Sequence, residues 1–217
     1  MNEHDYEPIP GLPAALPKGE SILWQGAPCW QTFARRAMRV RLLTGYFVVL
    51  AIWGIAASVS SGVPVSDVAI STIRLAGLAV VAIALLTIFA WLVARTTIYT
   101  VTNRRVVMRF GIALPITIQM SFSKIESAGV HIWADGTGDI ALTLAPGQKI
   151  AYLVIWPHAR PWKLAKAQPS LRGIKDADSV AQILARALAA SASQPAKAIK
   201  VPVADGSGAS AHVPAAA

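Results

Sequence analysis

The sequence predicts an α+β membrane protein: a two-helix transmembrane hairpin, then an antiparallel β-sandwich capped by a C-terminal helix. Three observations predict it. Two charge-free apolar runs, Leu42–Ser60 and Leu75–Ala94, follow each other in tandem. Apolar and polar residues alternate with period two through much of 96–157. Of 217 residues, 54% are hydrophobic and 14% charged, against about 25% charged in an ordinary soluble domain. That composition excludes a disordered chain and argues against an ordinary soluble enzyme. Cys29 is the single cysteine, which excludes an intramolecular disulfide framework and a multi-cysteine metal site. The net charge is +9, from 20 Lys and Arg against 11 Asp and Glu.

The elements follow in order. Residues 1–19 are polar and proline-rich, with acids Glu3, Asp5 and Glu7 and no basic, apolar leader pattern, and are expected to form a flexible N-terminal arm. Residues 20–41 hold a short strand ended by Gly26 and Pro28, then a basic juxtamembrane segment with Arg35, Arg36, Arg39 and Arg41. The hairpin occupies 42–95. Its first span, 42–60, has 19 residues, which at about 1.5 Å per residue reach about 28 Å, close to a hydrocarbon core. A connector over 61–73 carries Gly62, Pro64 and Asp67, and the second span covers 75–94. Buried core helices are the alternative reading of each run, and two in tandem in a small chain weigh against it. Four arginines precede the first span, and Arg95, Arg104, Arg105 and Arg109 follow the second, whereas only Arg74 lies between them. The positive-inside rule then puts both termini in the cytoplasm, with Trp91 in the aromatic belt. These flanks absorb most of the +9 and leave no need for a nucleic-acid partner.

The second domain is expected over 96–190. Ile116, Ile118, Met120 and Phe122 alternate with polar residues, Ile140, Leu142 and Leu144 alternate with smaller ones, and Ile150, Tyr152, Val154 and Trp156 alternate in a mostly apolar run. Half-buried antiparallel strands produce that pattern. Asn103-Arg104, Gly111, Asp135-Gly136-Thr137-Gly138 and Pro146-Gly147 supply turns, so a meander of six or seven strands is predicted. The chain then reads as irregular to about Lys175. Val180, Ile183, Leu184, Ala187 and Leu188 form one apolar face behind Asp176 and Asp178, predicting a helix over 178–190 packed on the sheet. Residues 191–217 are Ala, Ser, Pro and Gly with few large apolar groups, as in a disordered tail.

Catalytic parts are hard to find. His4, His131, His158 and His212 form no metal-ligand spacing. Asp135 and Asp139 flank Gly-Thr-Gly and read as a turn rather than an acid–base pair. No phosphate-cradling glycine loop and no nucleophile elbow is present. The spans contain neither histidine nor a charged residue, so pigment ligation and ion pathways within them are unsupported, and no cofactor is expected. Gly54, Ser58 and Gly62 form a small-residue stripe of the kind that lets helices approach closely, or simply reflect membrane-helix composition. Arg104, Arg105, Arg109, Lys163 and Lys166 read as solvated cytoplasmic charge more readily than as a lipid-headgroup site, because no tight cluster is visible. Trp156, Arg160 and Trp162 fall within seven residues. They either anchor a partner, as hot-spot residues do, or plug an end of the sandwich.

Several strings carry a resemblance. Gly-Glu-Ser-Ile-Leu-Trp-Gln-Gly (19–26) and Tyr-Thr-Val-Thr-Asn-Arg-Arg-Val-Val-Met-Arg (99–109), with Ser-Lys-Ile-Glu-Ser (123–127) further on, resemble membrane-anchored bacterial pleckstrin-homology (PH) proteins. Residues 95–109, 134–140, 156–162 and 169–177 are similar to the photosynthetic-complex assembly proteins of purple bacteria. The resemblance covers about 10–190. It implies a PH-like sandwich of seven strands capped by a helix. It also implies a non-enzymatic assembly factor for the photosynthetic reaction centre, and indirectly for the core light-harvesting complex. The partners so implied are reaction-centre membrane subunits, core antenna polypeptides and the lipid bilayer. A second copy of the chain is a further candidate, and no catalytic residue is carried across. Two alternatives stay open: a PH-like adaptor for lipid or protein unrelated to photosynthesis, and a membrane enzyme without a recognisable motif.

Overall fold

The structure is a computed structural model that describes residues 10–148, 150–161, 163 and 166–192. Two compact units are present, one made of the chain up to Cys29 together with the chain from Val93 onward, the other of Trp30–Leu92.

The second unit holds the apolar helices. A short helix, α1 (Trp30–Thr32), and a π turn (Phe33–Ala37) precede α2 (Val40–Ser60). The 21 residues of α2 rise about 32 Å. None of them is buried, and Leu42, Val49, Ile52, Trp53 and Val59 stand out into the surroundings. A helix apolar on all sides and uncovered by protein is what a bilayer accommodates. Its C-terminus closes on Gly62 at φ +68. Gly62 N–H donates to the Val59 carbonyl and Val63 N–H to the Ser58 carbonyl, both at 3.1 Å, which is a Schellman cap. Gly62 therefore serves the helix end, and the expected small-residue stripe reduces to Gly54 and Ser58.

The expected connector over 61–73 is mostly helix. Only Ser61–Pro64 links α2 to α3 (Val65–Thr96). Asp67 and Val68 N–H groups donate back to the Pro64 carbonyl. Pro64 and Asp67, read as turn residues, are helix-start residues: proline fits where no N–H is needed, and an acid in the first turn faces the positive end of the dipole. The 32 residues of α3 rise about 48 Å, longer than a hydrocarbon core is thick. Arg74, expected at a span boundary, lies inside it.

The first unit is built on two antiparallel sheets. One has the order β1 (Ile22–Gly26), β2 (Ile98–Thr102), β3 (Arg105–Phe110), β4 (Ile116–Ser121), and the other β5 (Ile125–Ile132), β6 (Gly138–Leu144), β7 (Ser170–Ile174). Tyr99, Val101, Val106 and Met108 of the first sheet share one core with Val130, Ile140, Leu142 and Leu171 of the second. A last helix, α5 (Ala177–Ala192), adds Val180, Ala181, Leu184 and Ala187 to it. Fully burying a residue such as Leu184 is worth about 2 kcal/mol.

Four expectations need correction. The domain over 96–190 must be extended, because β1 pairs with β2, with Gly26 opposite Tyr99. The arm 1–19 is not free over its second half. Leu12 is buried, Gln25 Nε2 donates to the Pro10 carbonyl at 2.8 Å, and a Cβ on Gly11 would lie 2.6 Å from Ile98. Residues 1–9 lie outside the described residues, as does the tail beyond Ala192, while Ser191 and Ala192 still belong to α5. The run Ile150–Trp156 is not a strand but contains one helical turn, α4 (Tyr152–Ile155). Its place beside β6 is taken by β7, which pairs Ile140 with Leu171. β7 escaped notice because Arg172 and Gly173 interrupt its apolar pattern, and glycine has poor strand propensity.

Candidate functional site

The end of the sandwich at which α3 enters is the most heavily constructed part of the molecule. β2 starts at Ile98, two residues after α3 ends. Tyr99 then points into the core and is fully buried. Its hydroxyl accepts from Arg172 N–H at 3.2 Å, so its own proton is free to go to His158 Nδ1, 2.7 Å away. His158 thereby becomes the Nε2–H tautomer, which donates to Thr97 Oγ1 at 3.3 Å. Thr97 in turn donates to the Val93 carbonyl at 2.6 Å. The chain of donors has one self-consistent direction and ties the last turn of α3 to the loop after α4.

Charge around this chain is paired. Arg172 Nε lies 3.3 Å from Asp139 Oδ2, and its Nη1 donates to the Pro157 carbonyl at 3.2 Å. Asp139 Oδ1 accepts from Gly173 N–H at 2.7 Å. Burial, with the Arg172 cation adding to it, lowers the His158 imidazole from 6.5 to about 3, so the ring is neutral. Burial likewise pushes the Tyr99 hydroxyl above its ordinary value, with Arg172 N–H pulling against it. The Asp139 carboxyl is raised by burial, against the pull of Arg172 and Gly173. A neutral histidine, a protonated tyrosine and a paired arginine make a structural clasp. The Phe110 ring, 4.8 Å from the imidazole centroid, closes it.

This clasp holds α4 so that Ile155 is buried while Leu153, Val154 and Trp156 are exposed. Arg160, also exposed, lends Nη1 to Gln168 Oε1 at 3.2 Å. Trp156 is 48% exposed, while Ile155 and His158 beside it are buried. Trp162 lies outside the described residues. In α2, Gly54 has no atom within 4 Å of the position a Cβ would take, and Ser58 is half-buried one turn on. Asp135 is the turn residue the spacing suggested, accepting from Thr137 N–H and Oγ1–H. Asp139 is not, because it serves Arg172. Among the described residues no three His, Cys, Asp or Glu side chains could hold a metal ion together.

A second clasp explains the strings shared by 19–26 and 99–109. Glu20, with a side chain 2% exposed, takes Arg105 Nε at 2.8 Å and Nη2 at 3.0 Å, and Thr102 Oγ1–H at 2.8 Å. Asn103 Nδ2 donates to the Gly19 carbonyl at 3.0 Å, and its Oδ1 accepts Ser21 N–H at 3.1 Å. These residues fasten the chain before the spans to the hairpin after them. Sequence reasoning missed the roles of His158 and Arg172. The signal present was a lone arginine in an otherwise apolar Ser-Leu-Arg-Gly-Ile stretch.

Comparison with known proteins agrees with this architecture. The family model described as bacterial PH domain matches residues 40–188. A protein of Rhodobacter capsulatus, described as an uncharacterized 23.7 kDa protein in the puhA 5' region, is 38% identical over 201 residues, covering 90% of this chain and 92% of that one. No solved structure matches. With two long apolar helices, antiparallel sheets forming a PH-like sandwich and a closing C-terminal helix, the chain belongs to the bacterial PH domain family.

Proposed function

We propose that the protein is a non-enzymatic assembly factor for the photosynthetic reaction centre, and through it for the core antenna, in the bacterial cytoplasmic membrane. The observation that carries this reading is the end-to-end similarity to a protein encoded in the puhA region, a photosynthesis locus. Two helices long and apolar enough to cross a membrane support a membrane location. The arginines outside both spans favour cytoplasmic termini. In this reading α2 docks laterally on a nascent membrane subunit through Gly54 and Ser58, since without intramembrane charge only close packing and weak hydrogen bonds are available. Trp156 and Arg160 add a contact outside the bilayer, as an aromatic and an arginine commonly do at binding hot spots. Deleting the gene in its host tests the reading. Loss of reaction-centre absorbance with normal respiratory growth is the expected result. Unchanged reaction-centre content refutes it and leaves a PH-like adaptor unrelated to photosynthesis.

A further inference from the structure

We infer that the end of the sandwich at which α3 enters is a bilayer-interface anchor. In it Ile112 and Leu114 of the β3–β4 loop and Leu153 and Val154 of α4 rest in the headgroup–acyl boundary of an anionic leaflet. The inference rests on the membrane-spanning reading of α2 and α3 and deepens it by assigning the domain a face.

The placement follows from register. Ile98 opens β2 beside the end of α3 and pairs with Arg109, and Phe110 pairs with Ile116. The loop 111–115 therefore lies at the entry end of the sheet. The opposite turn, Asn103-Arg104, is polar. The entry loop instead exposes Ile112 at 42% and Leu114 at 78%. Its shape is fixed: Gly111 sits at φ +128, and a Cβ there would collide with the Leu114 carbonyl. α4 is brought to the same end by His158, whose ring meets Thr97, Tyr99 and Phe110. There Leu153 is 86% exposed and Val154 45%. Large apolar side chains from two separate loops, displayed at one end, cost free energy in water and gain it in an acyl boundary.

Charge favours lipid over a basic or neutral partner. The segments 109–116 and 150–163 contain no acid, Arg109 is buried, and the exposed bases are Arg160 and Lys163. Bases beside an apolar tip suit an anionic membrane surface.

The test uses the full chain in nanodiscs of phosphatidylglycerol and phosphatidylcholine. An environment-sensitive NBD (nitrobenzoxadiazole) dye is placed in a Cys29→Ser background at Leu114→Cys, Leu153→Cys, Ser123→Cys or Ile52→Cys, one site at a time. Lipids with a nitroxide near the top of the acyl chain are expected to quench the dye at 114 and 153 and not at 123, which follows the far end of β4. Replacing phosphatidylglycerol by phosphatidylcholine is expected to weaken quenching at 114 and 153, and equal quenching overturns the charge component. Lipids with a nitroxide near the end of the acyl chain are expected to quench at 52, in the middle of α2. Such quenching at 52, with none at 114 and 153 by the shallow label, overturns the anchor while keeping the span, and leaves that face to a protein partner. Absence of quenching at 52 by the deep label overturns the spanning reading beneath it.

Discussion

Acidification separates the buried clasp from any solvated histidine. His158 is neutral in the fold at about 3, against 6.5 when solvated. A histidine with a lowered folded-state value contributes fully above pH 6.5. Below that the unfolded chain takes up a proton the fold refuses, so stability is lost as pH falls from 6.5 toward 3. At pH 5 the unfolded state gains about 1.5 pH units of protonation free energy, or about 2 kcal/mol. A domain of this size shifts by roughly 4 °C per kcal/mol, so the melting temperature falls by about 8 °C between pH 7.5 and pH 5 from this group alone. Asp139 acts in the opposite sense, because a raised carboxyl loses stability as pH rises. The reading must therefore be a difference between two proteins. His158→Asn keeps an amide oxygen for the Tyr99 hydroxyl and removes the titration. Thermal melting of full-length wild type and variant in detergent, followed by near-UV circular dichroism, measures both slopes. The wild type should lose about 2 kcal/mol more than the variant over that interval. Parallel pH profiles would falsify the neutral, buried imidazole, whatever the variant's own stability.

Other outcomes follow from the same geometry. Glu20→Ala leaves Arg105 without its bidentate partner and should cost about 3 kcal/mol in denaturant unfolding, with Glu20→Ala/Arg105→Ala less destabilised than the single variant. Gly138→Ala would place a methyl 2.5 Å from the His131 carbonyl and 2.6 Å from Ala177 Cβ, and should lower stability by about 2 kcal/mol; wild-type melting in that variant refutes the close approach. Gly54→Leu with Ser58→Leu meets no atom at Gly54 within the chain, so insertion and melting should stay normal while co-purification of a membrane client falls. Reporter fusions at 30, 67 and 120 should read cytoplasmic, periplasmic and cytoplasmic, and a periplasmic reading at 120 refutes the hairpin.

The sequence by itself determined the elements whose signal is local and periodic. Two uncharged runs near the length of a bilayer crossing became α2 and α3, the alternation over 116–122 and 140–144 became β4 and β6, and the one-faced apolar pattern from Val180 became α5. Turn chemistry at 135–138 and 103–104 held because it depends on adjacent residues. Pairing across long stretches of chain decided the rest. Ile150–Trp156 and Ser170–Ile174 competed for the edge of β6, and the apolar alternation of the first looked better than the arginine and glycine of the second. Arg172 belongs in that strand only because Asp139 and the Pro157 carbonyl, 33 and 15 residues away, satisfy its charge in the interior. His158 is likewise neutral only because the fold buries its ring, with the Arg172 cation adding to the effect. The tertiary structure alone could decide that Trp156 faces outward while its neighbours Ile155 and His158 face in, and that β1 crosses from before the spans to join a sheet made after them. A buried ion pair or a strand register is a relation between distant residues, and its energy is absent from any short window of the chain.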